Sequence, residues 1–591
     1  MIMEEEVKAV EYIRKYNISL LSSVFNKVQG SKGICCDSVQ EKAMLSTISF
    51  KEMITLFGLK GGISLYKPFA PAVDHIFYFI SDSGESYDLV ERHIQVQDKN
   101  SELKNIFVFI VANGVSSLKA KIKGLVKSSK HVEVNEFPLY WICYDSMTIS
   151  LYESNVPKQL LVQHKPAILH RNAVALLQLE KLTGTKLVVR AKGEWATKVA
   201  EIMMHNRESE LGKKRTIVEQ SLDLKEVIIM DRWLDPITPL LIPMTFDALI
   251  SEFFPTEING TVSVDRKEFD KVDELKENEK PIKNLKLNDE IYNNIADSHI
   301  SAIGVQLSEL SKELFSEESN FKESMKVIAA WKMTMPKLQN IVTRKELCTK
   351  YIRLAEMIYD RKGDDFIYEF LFLQMDILNG SIGGDKVITF LEDSLIRKEC
   401  LYRCLRLICL QSIVNNGLRP QVINAYKRLI LNNYGTEKLQ FFVRLQVCNL
   451  ITERETSLLL SKSVVNSKIH SKYPKIDFGS LKKFYKLFDG VTSNEVYRKD
   501  PLYAFNGYAP LLYRILEHGI NTDWGDWNTY ADTHMKQQEL KTLYTSNKLL
   551  FVIGGITKAE MSLLKSFQPI ITLIGSTDIV SGNSFMKSFE V

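Results

Sequence analysis

Cysteine is scarce in this chain: eight thiols are spread over 591 residues. They lack the dense, even spacing of a secreted scaffold stapled by disulfides, and are read as reduced packing residues. Neither sign of charge is in excess. Lysine and arginine number 76 against 72 aspartates and glutamates, a formal net charge of +4, so the basic surplus that drives counterion release in a dedicated nucleic-acid protein is absent. Long apolar runs are missing too. Stretches such as Ile106 to Ala112 and Leu549 to Ile553 fall far short of the roughly 20 residues that cross a bilayer as a helix. At the amino terminus three consecutive glutamates, Glu4 to Glu6, precede any apolar run, the reverse of a signal-peptide pattern. The expectation is a cytoplasmic protein, one that would have to be recruited if it works at a membrane.

The familiar signatures of catalysis are also lacking. No Gly-x-Gly-x-x-Gly follows a strand pattern and no Gly-x4-Gly-Lys-Ser/Thr occurs, nor is there a His-Glu-x-x-His, a Gly-x-Ser-x-Gly or a paired Cys-x-x-Cys. The ten histidines are scattered. Cys400, Cys404 and Cys409 lie on a helical pattern among Leu401, Leu405, Leu407 and Leu410, a setting for core packing and not for a metal, which would need further ligands nearby. No metal and no cofactor is expected, and the chain is read as catalysing no covalent reaction.

What is present is an ordinary globular composition, 45% hydrophobic and 25% charged, at a length that divides into roughly three or four cores. In the first third, short apolar runs (His75 to Ile80, Ile106 to Val111) alternate with helix-compatible sequence, which implies crossover connections and parallel sheets. A second α/β layer follows, with helices at Ala173 to Leu182 and Trp195 to Met204 and strands at Lys186 to Val189 and Val227 to Met230. Between about 255 and 298 Lys, Glu, Asp and Asn dominate, and this stretch is read as an exposed, partly flexible loop. From about 301 to 471 helical periodicity takes over, in segments such as Gly304 to Phe315, Lys345 to Tyr359 and Asp393 to Val414. The last has a stop signal in Asn415, Asn416 and Gly417 with Pro420 beyond. Strand texture then returns at Leu549 to Ile553 and Ile570 to Ile574. After the first of these, Gly554-Gly555 permits a tight turn and Thr557-Lys558-Ala559-Glu560 fits a helix-starting capping box. A helical domain inserted in an α/β domain is the organisation these signals describe.

One segment stands out: Asp231-Arg232-Trp233-Leu234-Asp235-Pro236-Ile237-Thr238-Pro239-Leu240-Leu241, at the end of the Val227 strand. Opposite charges this close, as the chain leaves a buried strand, require partners, and a bidentate Arg232 could satisfy Asp231, Asp235 or backbone carbonyls. The alternative is a carboxylate pair, Asp231 and Asp235, for acid/base or metal chemistry, but an arginine between them would keep both ionised and shield them from a cation. Asp231, Arg232, Asp235, Thr238 and Pro239 are therefore expected to form a structural junction, with Pro239 and Pro243 delaying helix formation beyond it.

This segment, followed by Thr245-Phe246-Asp247-Ala248-Leu249-Ile250-Ser251-Glu252, resembles the pattern of the SM family, soluble proteins that act with SNAREs in membrane fusion. Phe246 stands where that pattern has tyrosine. Glu136-Phe137-Pro138-Leu139 resembles the end of the family's first domain. Leu405 to Ser412, Gly507-Tyr508-Ala509-Pro510-Leu511 and Gly554 to Glu560 resemble the branch that supplies the SM subunit of the HOPS and CORVET tethering complexes; Lys558 replaces a usual aromatic.

The resemblance implies a three-domain arch: an N-terminal α/β domain (1–153), a second α/β domain in two parts (154–240 and 476–591), and a helical third domain (241–360 and 361–475). It implies SNARE proteins as partners, held on a helical hairpin at about 304–358, with Met335, Pro336, Lys337, Leu338, Ile341, Leu347, Ile352 and Leu354 as contacts. It further implies a helical-solenoid tether subunit docking near Arg403, Arg406, Arg419 and Tyr434, and peripheral association with endosomal and vacuolar membranes through these partners. An SM protein of another trafficking step is the alternative within the family, and a nucleotide- or sugar-phosphate-binding α/β enzyme is the competing class.

Overall fold

The computed structural model describes residues 9–62, 64–66, 73–97, 105–111, 131–209, 222–270, 280–324, 331–380, 384–454, 476–489, 500–531 and 547–590. The chain opens with α1 (Ala9–Phe25), β1 (Lys32–Cys36), α2 (Ser38–Thr47), α3 (Phe50–Phe57), β2 (Leu59–Gly61), β3 (His75–Ile80), α4 (Gly84–Gln97), β4 (Asn105–Val111) and β5 (His131–Phe137). The five strands form a parallel sheet in the order β2-β1-β3-β4-β5. Helices cover both faces, which is why β3 and β4 read as unbroken apolar runs and not as alternation. Phe77, Phe79, Phe107 and Phe109 pack on one face with Phe25 and Phe57, while Ile76, Tyr78, Ile106 and Val108 pack on the other with Val90 and Ile94.

The next elements are β6 (Ile142–Cys143), β7 (Thr148–Ser150), α5 (Val156–Leu161), α6 (Ala167–Thr183), β8 (Val188–Lys192), α7 (Glu194–Ser209) and β9 (Glu226–Asp231). Both β6 and β7 belong to the second sheet. The chain therefore leaves its first sheet at Phe137, earlier than the boundary expected at 153.

After β9 two 3-10 turns, Arg232–Leu234 and Thr238–Leu240, lead into α8 (Phe246–Phe253), β10 (Thr261–Asp265), α9 (Arg266–Phe269), β11 (Ile282–Lys286) and α10 (Glu290–Ile295). The stretch read as an exposed loop is thus an antiparallel hairpin and two short helices. Its inward side chains, Val262, Val264 and Leu285, are buried, and polar residues at alternate positions gave the segment its loop-like composition. Residues 271–279 lie outside the described residues.

The helical series is α11 (Ile300–Ser324), α12 (Trp331–Gly363), α13 (Asp365–Asn379), α14 (Gly384–Ile396), α15 (Leu401–Val414), α16 (Pro420–Tyr434), α17 (Thr436–Val447) and α18 (Phe478–Phe484). The expected helix Asp393 to Val414 is two helices: α14 stops at Ile396, Lys398 takes a positive φ of 59° and α15 starts at Leu401. The stop signal beyond it is where the sequence put it, with Asn416 and Gly417 at positive φ and Pro420 opening α16.

The chain then returns through α19 (Leu511–Asn521), β12 (Asn528–Tyr530), β13 (Lys548–Ile553), β14 (Ile556–Thr557), α20 (Lys558–Leu564), β15 (Ile571–Ser576), β16 (Ile579–Val580) and α21 (Gly582–Lys587). The second sheet has the order β12-β8-β9-β13-β15-β7-β6, parallel except for its edge strands β12 and β6. At its amino end the buried Glu226 on β9 pairs with Arg190 on β8 and Lys548 on β13, joining strands that the helical insertion separates in sequence. One apolar core runs from this sheet into the helices, including Leu240, Phe246, Phe370 and Leu405.

Candidate functional site: a groove on the helical hairpin

The route to the site passes through the Asp231 segment. Asp231 accepts hydrogen bonds from the backbone N–H of Trp195 at 2.9 Å and of Ala196 at 2.7 Å, so it caps the amino end of α7. Burial pushes its carboxyl up to about 7 against the pull of those two donors. Gly193, at φ 106°, must be glycine, because a Cβ there would lie 2.3 Å from the Asp231 carboxylate.

Arg232 is wholly enclosed. Its Nη1 donates to both carboxylate oxygens of Glu560 at 2.8 Å and its Nε to the Asp235 carbonyl at 2.9 Å. Nη2 lies 3.2 Å from the Asp235 carboxylate, close enough for an ion pair but without hydrogen-bond alignment. Burial raises the Glu560 carboxyl even with Arg232 beside it. Glu560 also completes the capping box, accepting from the Thr557 N–H at 3.0 Å and its hydroxyl at 2.8 Å. Asp235 accepts from the N–H groups of Ile237, Thr238 and Leu512 and from the Thr238 hydroxyl, and Pro239 sits in the 3-10 turn that follows. Asp231 and Asp235 thus have separate structural jobs, and Arg232 pairs with Glu560 in addition to its near neighbour.

Beyond this junction α11 and α12 pack as an antiparallel hairpin. Arg344 reaches Glu317 at 3.5 Å, Lys345 pairs with Glu318, and the Tyr359 hydroxyl donates to the Ile300 carbonyl at 2.7 Å. Helix α10 closes one side, where Asp289 is held by Lys350 at 3.0 Å and by the Tyr351 hydroxyl. Between α10, α11 and α12 runs a groove of about 780 Å³. Ile291, Ile295, Leu310 and Leu347 line it as an apolar floor, while Glu290, Glu309, Glu313, Gln339 and Arg344 stand at its polar rim. An open trough of this kind, apolar below and polar above, suits the apolar stripe of an amphipathic helix.

The residues expected as contacts divide. Leu347 lines the groove. Leu338, Ile341 and Ile352 are half-buried on α12 and Lys337 is exposed. Leu354 is not an available anchor: it is fully buried with Tyr351 and Ile358 in the core, because it lies on the inward stripe of α12. Met335 and Pro336 fall within α12, and their side chains lie outside the described residues. At the expected tether surface Arg406 is a correction. It is completely buried, donating to the carbonyls of Leu240 at 2.9 Å and Leu241 at 2.8 Å and pairing with Glu252 at 2.6 Å, so it braces the junction. Arg403 is half-buried near Glu252, the half-buried Tyr434 donates to the Glu399 carbonyl, and Arg419 is exposed at the start of α16. The rim carboxylates escaped the sequence reading, since only the fold brings α10 beside α11.

A second cavity, about 520 Å³, sits off the carboxyl ends of β7, β13 and β15. Burial pushes both Glu153 and Asp578 in its lining up to about 7; Arg171 offsets part of the effect on Glu153, and Glu153 adds to that on Asp578. Among the described residues, no helix is long and apolar enough to cross a membrane.

The architecture is that of SM proteins. It superposes on Vps45, solved in complex with the Qa SNARE Tlg2, with a TM-score of 0.64 at 15% identity over 99% of this chain and 98% of that one. It superposes also on the Unc18–syntaxin 1 complex from Monosiga brevicollis, with a TM-score of 0.62 at 15% identity over 98% of this chain and 99% of that one. The Sec1 family model matches residues 44–588, and the chain belongs to the Sec1 family. Among curated relatives, vacuolar protein sorting-associated protein 33A of Caenorhabditis elegans is 27% identical over 614 residues, covering 99% of this chain and 97% of that protein. The protein of the same name from Rattus norvegicus is 24% identical, with 96% and 95% covered. The vacuolar protein-sorting-associated protein 33 homolog of Arabidopsis thaliana is 22% identical, with the same coverage.

Proposed function

We infer that this chain is an SM-type regulator that binds SNARE motifs and templates or protects their assembly during endosomal and vacuolar membrane fusion. In this reading it works in the cytoplasm as a subunit of a HOPS- or CORVET-like tether, and reaches membranes through its partners. The observation that carries it is the groove on the α11–α12 hairpin, in a chain of the Sec1 family whose relatives are named for vacuolar protein sorting. SNARE segments are largely disordered before zippering, and ordering each residue costs on the order of 1 to 2 kcal/mol of backbone entropy. A trough that holds such a segment as a helix meets part of that cost before the partner strands arrive. The helical-solenoid tether subunit is assigned to the surface carrying Arg403, Arg419 and Tyr434.

No covalent step enters this reading. The competing enzyme class would use the cavity off the second sheet, whose lining sets Glu153, Asp578 and Glu590 against Lys587, a balance that repels a phosphate. The test is direct binding of the purified chain to isolated SNARE-motif segments, run beside a thermal-shift panel of nucleotides and sugar phosphates. Capture of SNARE motifs with no nucleotide shift is expected; a nucleotide shift without SNARE binding would overturn the reading.

A further inference from the structure

The charges around the groove are distributed unevenly. On α12 three basic groups are engaged: Arg344, which lines the trough, reaches Glu317, Lys345 pairs with Glu318 and Lys350 with Asp289. Glu290 on α10 and Glu309 and Glu313 on α11 line the trough, are exposed, and enter no ion pair among the described residues. The α10–α11 wall is therefore an uncompensated acidic row along an apolar floor of Ile291, Ile295, Leu310 and Leu347. Such a row adds little to the affinity of an apolar stripe, but it discriminates between helices by the sign of the residues flanking that stripe.

We propose that the groove selects an amphipathic helix with lysine or arginine along the flank that faces α10 and α11, so that partner choice is set by Glu290, Glu309 and Glu313. This rests on the reading of the hairpin groove as a helix-binding surface. The basic flank is oriented, because only one wall carries the free carboxylates. It follows that the bound helix has a preferred rotation about its axis, and that salt weakens the choice more than it weakens the apolar docking.

The test uses the full chain and two synthetic helical peptides with identical leucines at heptad a and d positions, carrying either lysine or glutamate at the flanking e and g positions. Affinities are measured by fluorescence anisotropy at low and high salt. The lysine peptide should bind about tenfold tighter at low salt, from three exposed pairs acting together. High salt should shrink that preference, Glu290→Gln/Glu309→Gln/Glu313→Gln should abolish it, and the corresponding lysine variant should reverse it. Thermal melts of these surface variants should match the parent. Equal binding of the two peptides, lost in Leu347→Asp, would overturn the charge selection and leave the groove reading standing. Absence of binding by either peptide, or a lysine preference unaffected by Leu347→Asp and by the glutamate variants, would overturn both.

Discussion

At the junction, Arg232 and Arg406 are sealed from water and surrounded by carboxylates and carbonyls that they serve as donors, whereas on the hairpin Glu290, Glu309 and Glu313 stand in solvent beside half-buried leucines. A buried arginine without its partner costs several kcal/mol, so such residues become fixtures that a family pattern preserves in plain view. Exposed rim charges cost almost nothing to change. The segment that identifies the family and the surface proposed to do its work are accordingly different places, and the second leaves the fainter mark in sequence.

The contrast can be broken at its buried end first. Replacing Arg232 with alanine leaves Glu560 and Asp235 enclosed without a cation, and should lower stability by about 3 to 5 kcal/mol in chemical denaturation. Lysine there should recover little, since one ammonium cannot hold Glu560 and both groups of Asp235 at once. A loss under about 1 kcal/mol would show that the pair is not buried. Arg406→Ala should cost somewhat less, about 2 to 3 kcal/mol, because Arg403 remains near Glu252. At the exposed end Leu347→Asp should change stability by no more than about 1 kcal/mol while weakening SNARE-motif binding about tenfold or more. A variant that unfolds, or binds normally, would erase the distinction between the two regions.

A further effect, visible only as a pH dependence, concerns the carboxylates between these extremes, at the edge of the second cavity. Asp578 has its carboxyl raised from 3.8 to about 7, so the folded protein holds a proton that the unfolded chain has already released between those values. Its contribution is complete below about pH 4 and fades as pH rises through 7. The melting temperature of the parent should therefore fall relative to Asp578→Asn between pH 5 and 8. Parallel curves would show that this group titrates as it does in water.

Much of the fold was legible because both sheets are covered on two faces: β3, β4, β9 and β13 each carry an unbroken apolar run, Ile76 to Ile80, Ile106 to Val111, Val227 to Met230 and Leu549 to Ile553, and these runs fall where the sequence put them. The capping box at Thr557 and the stop at Gly417 were legible because they are local. What stayed hidden was contact at a distance. The Arg232 partner lies in the C-terminal segment, although both halves, the charged segment and the capping box, were visible separately. The β10–β11 hairpin was masked by its polar outer face. Arg406 was named as a tether contact on the strength of the resemblance, yet its place inside Leu405-Arg406-Leu407-Ile408 was a signal that its charge must be met indoors. Leu347, which lines the groove, and Leu354, which is sealed in the core, were named alike for one reason: both are leucines of α12, and only the packing of neighbouring helices tells the edge of its inward stripe from the centre.

The position of β13 between β9 and β15 also dictates when the molecule can finish folding. A ribosome that has made β9 must add roughly 300 residues before β13 emerges, some 15 to 60 seconds at ordinary elongation rates. Throughout that interval the flank of β9 that faces β13 has no partner strand, and Arg232 lacks Glu560. The nascent chain is thus a client for chaperones up to its final stretch, and a truncation short of Glu560 forfeits the completed second sheet, together with the junction on which the helical insertion rests.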